Sequence, residues 1–265
     1  MEKSVDYLEI LSNIEDIQNG DIVYVVSDIL NLSLLCRKQG KHFDIQKFID
    51  SILEKVGQDG TVLFPTFNWD FCKGKTFDYK KTISKTGALG NAALKRSDCK
   101  RSKHPIYSFA IWGKYQNQLT EMNPKDSFGP GTIFEFLHRN HAKALIIGLE
   151  TMEGLTFCHY VEEVVGVPYR YLKDFTAGYI DEENVYSERT YSMYVRNLDM
   201  DPQCNDSSMG MILEQLGVSK NFDFGGIPFH VVNLEAMFEV MKIDITCNDA
   251  ANLYVYNHLT TPSSI

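Results

Sequence analysis

The segment Thr156-Phe157-Cys158-His159-Tyr160-Val161-Glu162-Glu163 holds the residues best suited to chemistry. It follows the apolar run ALIIGL by a short turn and reads as a helix over 154–165. On a helix His159 neighbours Glu162 at i+3 and Glu163 at i+4. A carboxylate beside an imidazole fixes its tautomer, raises its basicity and stabilises the imidazolium. That is what a general base acting on an amine or hydroxyl requires. An incidental pair on a surface helix has the same spacing, so spacing alone leaves both readings open. Cys158 beside His159 offers a thiolate nucleophile. Adjacent helical residues point about 100° apart, however, which favours a packed structural cysteine. A metal site built from His159, Glu162 and a distant histidine lacks a second ligand pair at metal spacing, so no metal is expected.

Two other stretches carry polar groups in suggestive patterns. Lys100-Arg101-Ser102-Lys103-His104-Pro105, followed by Ser108, groups three cations with small hydroxyls. Phosphate recognition favours that mixture, and a solvated basic loop produces it equally well. Asp126-Ser127-Phe128-Gly129-Pro130-Gly131-Thr132 leads into a helix, where exposed amides suit an anion or simply mark a helix entry. The GK[ST] signature is absent, as is GxGxxG after the first strand, which counts against mononucleotide and dinucleotide motifs.

The elements that must position these residues read as α/β. Asp21–Ile29 is short, apolar and β-branched, a buried strand. Ile45, Phe48, Ile49, Ile52, Leu53 and Val56 recur at helical spacing until Gly57. Thr61–Phe67 is the next strand, so the three pieces suggest a parallel βαβ unit. Trp69–Thr86 is a long loop, Gly87–Arg96 a short helix, and Ser108–Trp112 a strand. Thr132, with Glu135 three residues later, has capping-box spacing for a helix through Asn140. Ala144–Leu149 is a third buried strand. Phe175–Ile180 and Asn184–Asn197 read as antiparallel strands joined by DEEN. Ser207–Leu216 is a helix, Phe229–Val232 a strand and Leu234–Met241 a helix. The simplest architecture is one continuous domain over 1–265. It has a central mixed, partly parallel sheet flanked by helices and an antiparallel elaboration after about residue 170.

Composition sets the outer limits. The chain has 265 residues, 44% of them hydrophobic and 23% charged, which excludes disordered, collagenous and coiled-coil classes. The formal charge of −9 argues against a surface devoted to nucleic acid and is compatible with a cationic small substrate. Six cysteines lie far apart without CxxC spacing, so neither a zinc ribbon nor a disulfide framework is indicated. MEKSVDYLEI lacks a signal-peptide apolar region, and no run approaches ~18 apolar residues. A soluble cytoplasmic protein with reduced thiols and no membrane partner is expected. A homodimer is left open.

Taken in order, GTVLFPTF (60–67), TGALGNAAL (86–94), RSKHPIYSFAIWG (101–113), FGPGTIF (128–134) and ALIIGL followed by Thr156-x-x-His159-x-x-Glu162 resemble the aminoglycoside 3-N-acetyltransferase family. GGIPFHVVNLEAMFEVM is similar to that family's closing strand and helix, so the likeness runs from about residue 20 to about 242. The resemblance implies a CoA-dependent N-acyltransferase with an α/β fold distinct from GNAT, using acetyl-CoA or a short-chain acyl-CoA. It aligns His159 with the catalytic histidine and Glu162 with its carboxylate. It places Arg101, Ser102, His104 and Ser108 near the acyl-CoA arm.

Two departures bear on the acceptor. CHYVEE stands where resistance enzymes carry a run similar to LHLAE, and VPYRYLKDF follows. Both look more like relatives in polysaccharide biosynthesis that acylate an amino sugar carried on a nucleotide. The leading expectation is therefore transfer to a nucleotide-linked amino sugar, by direct attack and without an acyl-enzyme. Thr156, Glu163, Arg170 and Lys173 are the substrate candidates, the two cations meeting the diphosphate, and Ser108 is a candidate oxyanion donor. The alternatives are an aminoglycoside-inactivating acetyltransferase, a Cys158-dependent amidase or thioesterase, and a non-catalytic binding protein.

Overall fold

The computed structural model describes residues 6–257. Strand β1 (Ile22–Ser27), helices α1 (Leu30–Lys38) and α2 (Ile45–Val56) and strand β2 (Thr61–Pro65) form the expected parallel unit, with Ile22, Val23 and Tyr24 opposite Thr61, Val62 and Leu63. Asp44 starts α2 by accepting from the Gln46 and Lys47 amides, and Gly57 at φ 69° ends it. Next come β3 (Phe77–Asp78), α3 (Ala88–Ala93), β4 (Lys100–Arg101), β5 (Phe109–Gly113), α4 (Gln116–Glu121), α5 (Ile133–Arg139) and β6 (Lys143–Ile147). The second half holds α6 (Phe157–Val165), β7 (Arg170–Ile180), β8 (Tyr186–Arg196), β9 (Gln203–Cys204) and α7 (Asp206–Gln215). It closes with β10 (Ser219–Asp223), β11 (Pro228–Asn233), α8 (Leu234–Cys247) and β12 (Tyr254–Val255).

The main sheet runs β10-β11-β6-β1-β2-β5-β4. Strand β1 is parallel to both β2 and β6, and the outer strands join antiparallel, so the sheet is mixed as expected. Side chains alternate across it with period two. Tyr24, Val26, Leu63 and Ile146 face a layer containing Phe134 of α5, Phe157 and Val161 of α6 and Met237 of α8. Val23, Val25, Val62, Phe64 and Leu145 face the opposite layer, with Phe48 and Ile52 of α2 and Leu89 of α3. Both faces are covered, which is why β1 is apolar at nearly every position.

The antiparallel elaboration is the β7–β8 hairpin, which pairs Arg170 with Arg196 at one end and Ile180 with Tyr186 at the other. Its DEEN turn works as its residues suggest. Asp181 accepts from the Glu183 and Val185 amides, and Asn184 takes φ 64°. The small strand β12 pairs with β9 and brings Tyr254 back toward this hairpin.

Several boundaries differ from the sequence expectation. Helix α6 begins at Phe157, because residues up to Thr156 form a turn. Strand β7 begins at Arg170, because its exposed polar first half pairs with β8 along its whole length. Strand β10 lacks the apolar signature of a strand, since only Ser219 in it is buried. The Trp69–Thr86 loop contains β3, held parallel to β7. Helix α1 has its first amide, that of Leu30, capped by Asp28 Oδ1 at 2.9 Å, whereas the N-cap residue of α4, Tyr115, supplies no side-chain cap.

Candidate active site

Helix α6 starts beyond the carboxyl end of β6, the position where open α/β sheets gather ligands. In its first turns, His159 Nδ1 lies 2.7 Å from Glu162 Oε2. Glu162 is fully buried, so its charge must be met inside the protein. Three partners meet it. His159 is the first. Arg170 brings its Nε to 2.8 Å from Oε2 as an ion pair. The Tyr169 hydroxyl donates to Oε1 at 3.0 Å.

Arg170 is itself fixed by donation to the Tyr194 carbonyl at 3.2 Å and to the Tyr254 hydroxyl at 2.7 Å. Arg196 donates to the same hydroxyl at 3.3 Å. A continuous polar line therefore runs Arg196, Tyr254, Arg170, Glu162, His159.

The electrostatics favour a neutral imidazole. Burial lowers the His159 pKa below its ordinary 6.5, and Arg170 adds to that effect, while Glu162 opposes both. Burial by itself would raise Glu162, but His159, Arg170 and Tyr169 outweigh it and hold the carboxyl below its usual range. An ionised Glu162 accepts from Nδ1–H, so Nε2 carries the lone pair. A neutral imidazole with a lone pair on Nε2 can accept a proton.

Cys158 differs from the expectation that it points away. Its Sγ lies 3.3 Å from His159 Nδ1. The first turn of α6 lets the ring swing back far enough to meet the sulfur, which the 100° offset alone did not anticipate. The contact is made with the same nitrogen that serves Glu162. A thiol–imidazole–carboxylate triad uses the two ring nitrogens for its two partners, so this arrangement is not one. Cys158, His159 and Glu162 also form a group of metal-ligating type, their atoms within 4.8 Å of one another. Glu162 Oε2 is already in contact with a guanidinium, and a divalent cation there would stand against Arg170.

The remaining candidates fall in different places. Arg101, Ser102, His104 and Ser108 are all buried. On β4 the strand alternation turns Lys100 outward and Arg101 inward. Arg101 donates to Ser108 Oγ at 3.1 Å and to the Tyr79 and Thr82 carbonyls at 3.2 and 2.5 Å, and it lies over the Phe77 ring. It clamps the 69–86 loop. Ser102 Oγ accepts from the Phe109 amide, and Ser108 Oγ lies 2.8 Å from Thr66 Oγ1. Ser108 Oγ is thus engaged within the protein by Thr66 and Arg101. His104 Nδ1 accepts from the Ile106 and Tyr107 amides, and burial drives its pKa down to about 3. The space beside Ser102 and His104 is about 10 Å³, room for one water and no more.

Arg170 and Lys173 do not form a shared cationic clamp. Arg170 is buried against Glu162, whereas Lys173 is exposed three residues along the strand, on its other face. Lys173 lines a surface cleft of about 390 Å³ with Tyr171, Phe175 and Arg196. Thr156 is half-buried at the helix entry and makes no capping bond. Glu163 hydrogen-bonds to Asp126.

Sequence reasoning missed the cleft at the carboxyl ends of β1 and β6. About 590 Å³ in volume, it is lined by Ser27, Asp28, Leu30, Phe43, Gly87 and Leu149 among others. Its wall at Leu149 belongs to the 148–156 loop that leads into α6. The only signal was position, at the end of two parallel strands. A second cleft of about 350 Å³ on the same loop carries Glu150 and Glu153 together with Glu214 of α7.

A family model described as aminoglycoside 3-N-acetyltransferase matches residues 30–243. Among similar solved structures, aminoglycoside acetyltransferase AAC(3)-Xa shares 18% identity over 90% of this chain and 91% of that one, with a TM-score of 0.74. AAC-IIIb in a binary complex with CoASH shares 17% over 90% and 95%, TM-score 0.73. The YokD protein from Bacillus subtilis shares 18% over 93% and 94%, TM-score 0.72. At these identities the structural likeness is one of fold.

Proposed function

Because the chain belongs to the aminoglycoside 3-N-acetyltransferase family, we propose that it moves an acetyl group from acetyl-CoA to a primary amine of an amino sugar, with His159 as general base. Its residues would act as one acyltransferase domain. The observation that carries the reading is the His159 Nδ1 contact with the buried Glu162, itself paired with Arg170, at the entry of α6.

Acetyl-CoA supplies an activated acyl group as a thioester. The cleft at the ends of β1 and β6 fits its pantetheine arm, since Ile29, Leu30, Phe43 and Leu149 give apolar walls and Ser27 and Ser33 give hydroxyls. The acceptor amine stands at His159 Nε2. As its nitrogen forms a bond to the acyl carbon, Nε2 takes the amine proton. When the carbon–sulfur bond breaks, the same proton passes to the departing sulfur. Glu162 stabilises the imidazolium while it exists.

An aminoglycoside-like acceptor is the better supported of the two acceptor readings. A net charge of −9 and the cleft with Glu150, Glu153 and Glu214 suit a polycation. The nucleotide-linked reading loses Arg170, which is committed to Glu162. It keeps one observation in its favour, the cleft where Lys173 and Arg196 stand beside Tyr171 and Phe175. Thiol release from acetyl-CoA, screened in parallel against aminoglycosides and nucleotide-linked amino sugars, decides between them. Turnover with aminoglycosides alone is the expected result. Turnover confined to nucleotide sugars overturns the acceptor, and thiol release with neither overturns the activity.

Cys158 stands outside this chemistry, since Nδ1 is shared with Glu162 and no second nitrogen serves the thiol. Cys158→Ser is expected to retain turnover. The wild-type protein should show no stable mass gain at Cys158 after incubation with acetyl-CoA. A folded but inactive Cys158→Ser, together with such a mass gain, would restore the covalent route.

A further inference from the structure

The loop 126–132 meets α6 through two acidic side chains. A Cβ built on Gly129 would lie 2.5 Å from Asp126 Oδ2 and 2.8 Å from Glu163 Oε1, so both carboxyl groups converge on the bare glycine. Asp126 Oδ1 accepts from the Phe128 amide at 3.3 Å. Glu163 hydrogen-bonds to Asp126, and its Oε2 is buried without a partner. Asp126 is the charged group that acts on Glu163 most strongly, and no basic side chain among the described residues offsets it. From β8, Tyr194 also faces Glu163, but its hydroxyl is spent on the Val167 carbonyl.

The same loop carries Phe128, fully buried and edge-on to the His159 ring at 5.5 Å and 73°. Thr132 Oγ1 contacts the Phe128 and Gly129 carbonyls at 3.2 and 2.7 Å, and Ser127 donates to the Ser192 carbonyl at 2.5 Å. Ser127 thus ties the start of the loop to β8 and Thr132 closes its middle on itself, while the acid pair joins it to α6.

We propose that the carboxyl–carboxyl contact between Glu163 and Asp126 makes them positioning residues, a proton on Glu163 bridging the two and holding the 126–132 loop on α6 so that Phe128 fixes the plane of the His159 imidazole. The proposal rests on His159 as the base. Two adjacent carboxyls cannot both ionise cheaply, so one is kept protonated. Burial and Asp126 push Glu163 up to about 9, and Glu163 keeps its proton through neutral pH. Loss of that proton sets two like charges against each other across Gly129, lifts the loop and frees the imidazole plane.

The sign for stability follows. The folded pKa of Glu163 lies above its ordinary 4.5. The folded state therefore holds a proton that the unfolded chain has lost, and stability falls as pH rises from about 4.5 to about 9. Glu163→Gln offers Asp126 an amide hydrogen and has no proton to lose.

Two measurements on the full chain test this, Tm across pH 5–10 and kcat across pH 6–10.5. The expected result is a wild-type kcat that falls by about tenfold per pH unit above the pair's pKa. Glu163→Gln should lack that fall, have a flatter Tm profile and leave the acceptor KM unchanged. Asp126→Asn removes the same shared proton and serves equally if Glu163→Gln does not fold. Identical Tm profiles for wild type and variant overturn the shared proton. Matching Tm behaviour to that expected, with identical kcat profiles, overturns the positioning role. A raised acceptor KM at constant kcat would show that Glu163 touches substrate instead. His159→Ala with full activity would refute the base, and the Tm comparison would still report on the pair.

Discussion

His159→Ala lowers kcat by about 10²–10⁴-fold, the range for loss of a positioned general base, while binding of acetyl-CoA stays close to wild type. The imidazole acts as the amine proton leaves, so its loss appears in kcat and kcat/KM together. Burial and Arg170 lower the His159 pKa, so the neutral base persists below pH 6.5. The acid limb of the wild-type kcat/KM profile therefore lies on the acid side of that value. Glu162→Gln removes the charge that supports the imidazolium and moves the same limb further toward acid. Steady-state kinetics with one acceptor across pH 5–8 measures both effects. A variant lacking the imidazole with wild-type kcat removes His159 from the mechanism, and an acid limb above 6.5 contradicts the electrostatic reading.

Arg170→Ala destabilises the fold by about 3–5 kcal/mol, the scale for stranding one member of a buried ion pair. Glu162 is left at zero exposure with only His159 and Tyr169 to meet its charge. Its pKa rises, so it takes up a proton at higher pH than in the wild type and no longer stabilises the imidazolium. Activity is lost with stability. Arg170→Lys keeps a charge but not the fork that reaches both Tyr194 and Tyr254, so it falls between the two. The double change Glu162→Gln with Arg170→Met regains much of the stability, because no lone charge is buried, yet remains inactive. Urea unfolding of the three variants provides the comparison. A loss under about 1 kcal/mol for Arg170→Ala would mean that water or another cation reaches Glu162, contrary to the buried geometry.

The His159–Glu162 pair was legible because its information is local. A histidine and a carboxylate three apart on a helix meet whatever lies around them. The βαβ unit was legible for the same reason, with strands buried on both faces and a helix ended by Gly57. Which glutamate served the imidazole was not, since Glu162 and Glu163 differ only in the neighbours that distant elements bring. Glu162 receives Arg170 from β7, and Glu163 receives Asp126 from the loop before α5. The burial of residues in the basic run 100–105 was not legible because the pairing of β4 with β5 sets which of them turn inward. Lys100 is exposed and Arg101 is buried, and the letters alone do not give the register. The pairing of Arg170 with Glu162 was hidden because β7 begins five residues earlier than its apolar pattern shows. Strand β10 stayed hidden because an edge strand facing solvent needs few apolar residues.

Tyr254 gives the site an order of assembly. Its hydroxyl joins Arg170 to Arg196, and its ring, like that of Tyr256, packs within 5 Å of Tyr169. Arg170 and Tyr254 are 84 positions apart, so the last tie on the ion pair comes from one of the most distant stretches of the chain. On a ribosome, His159, Glu162 and Arg170 emerge long before that stretch does. Until β12 docks beside β9, the guanidinium lacks its strongest neutral partner. A nascent chain stalled short of β12 would carry every residue of the reaction and still be idle, so catalytic competence would report that synthesis has passed that strand.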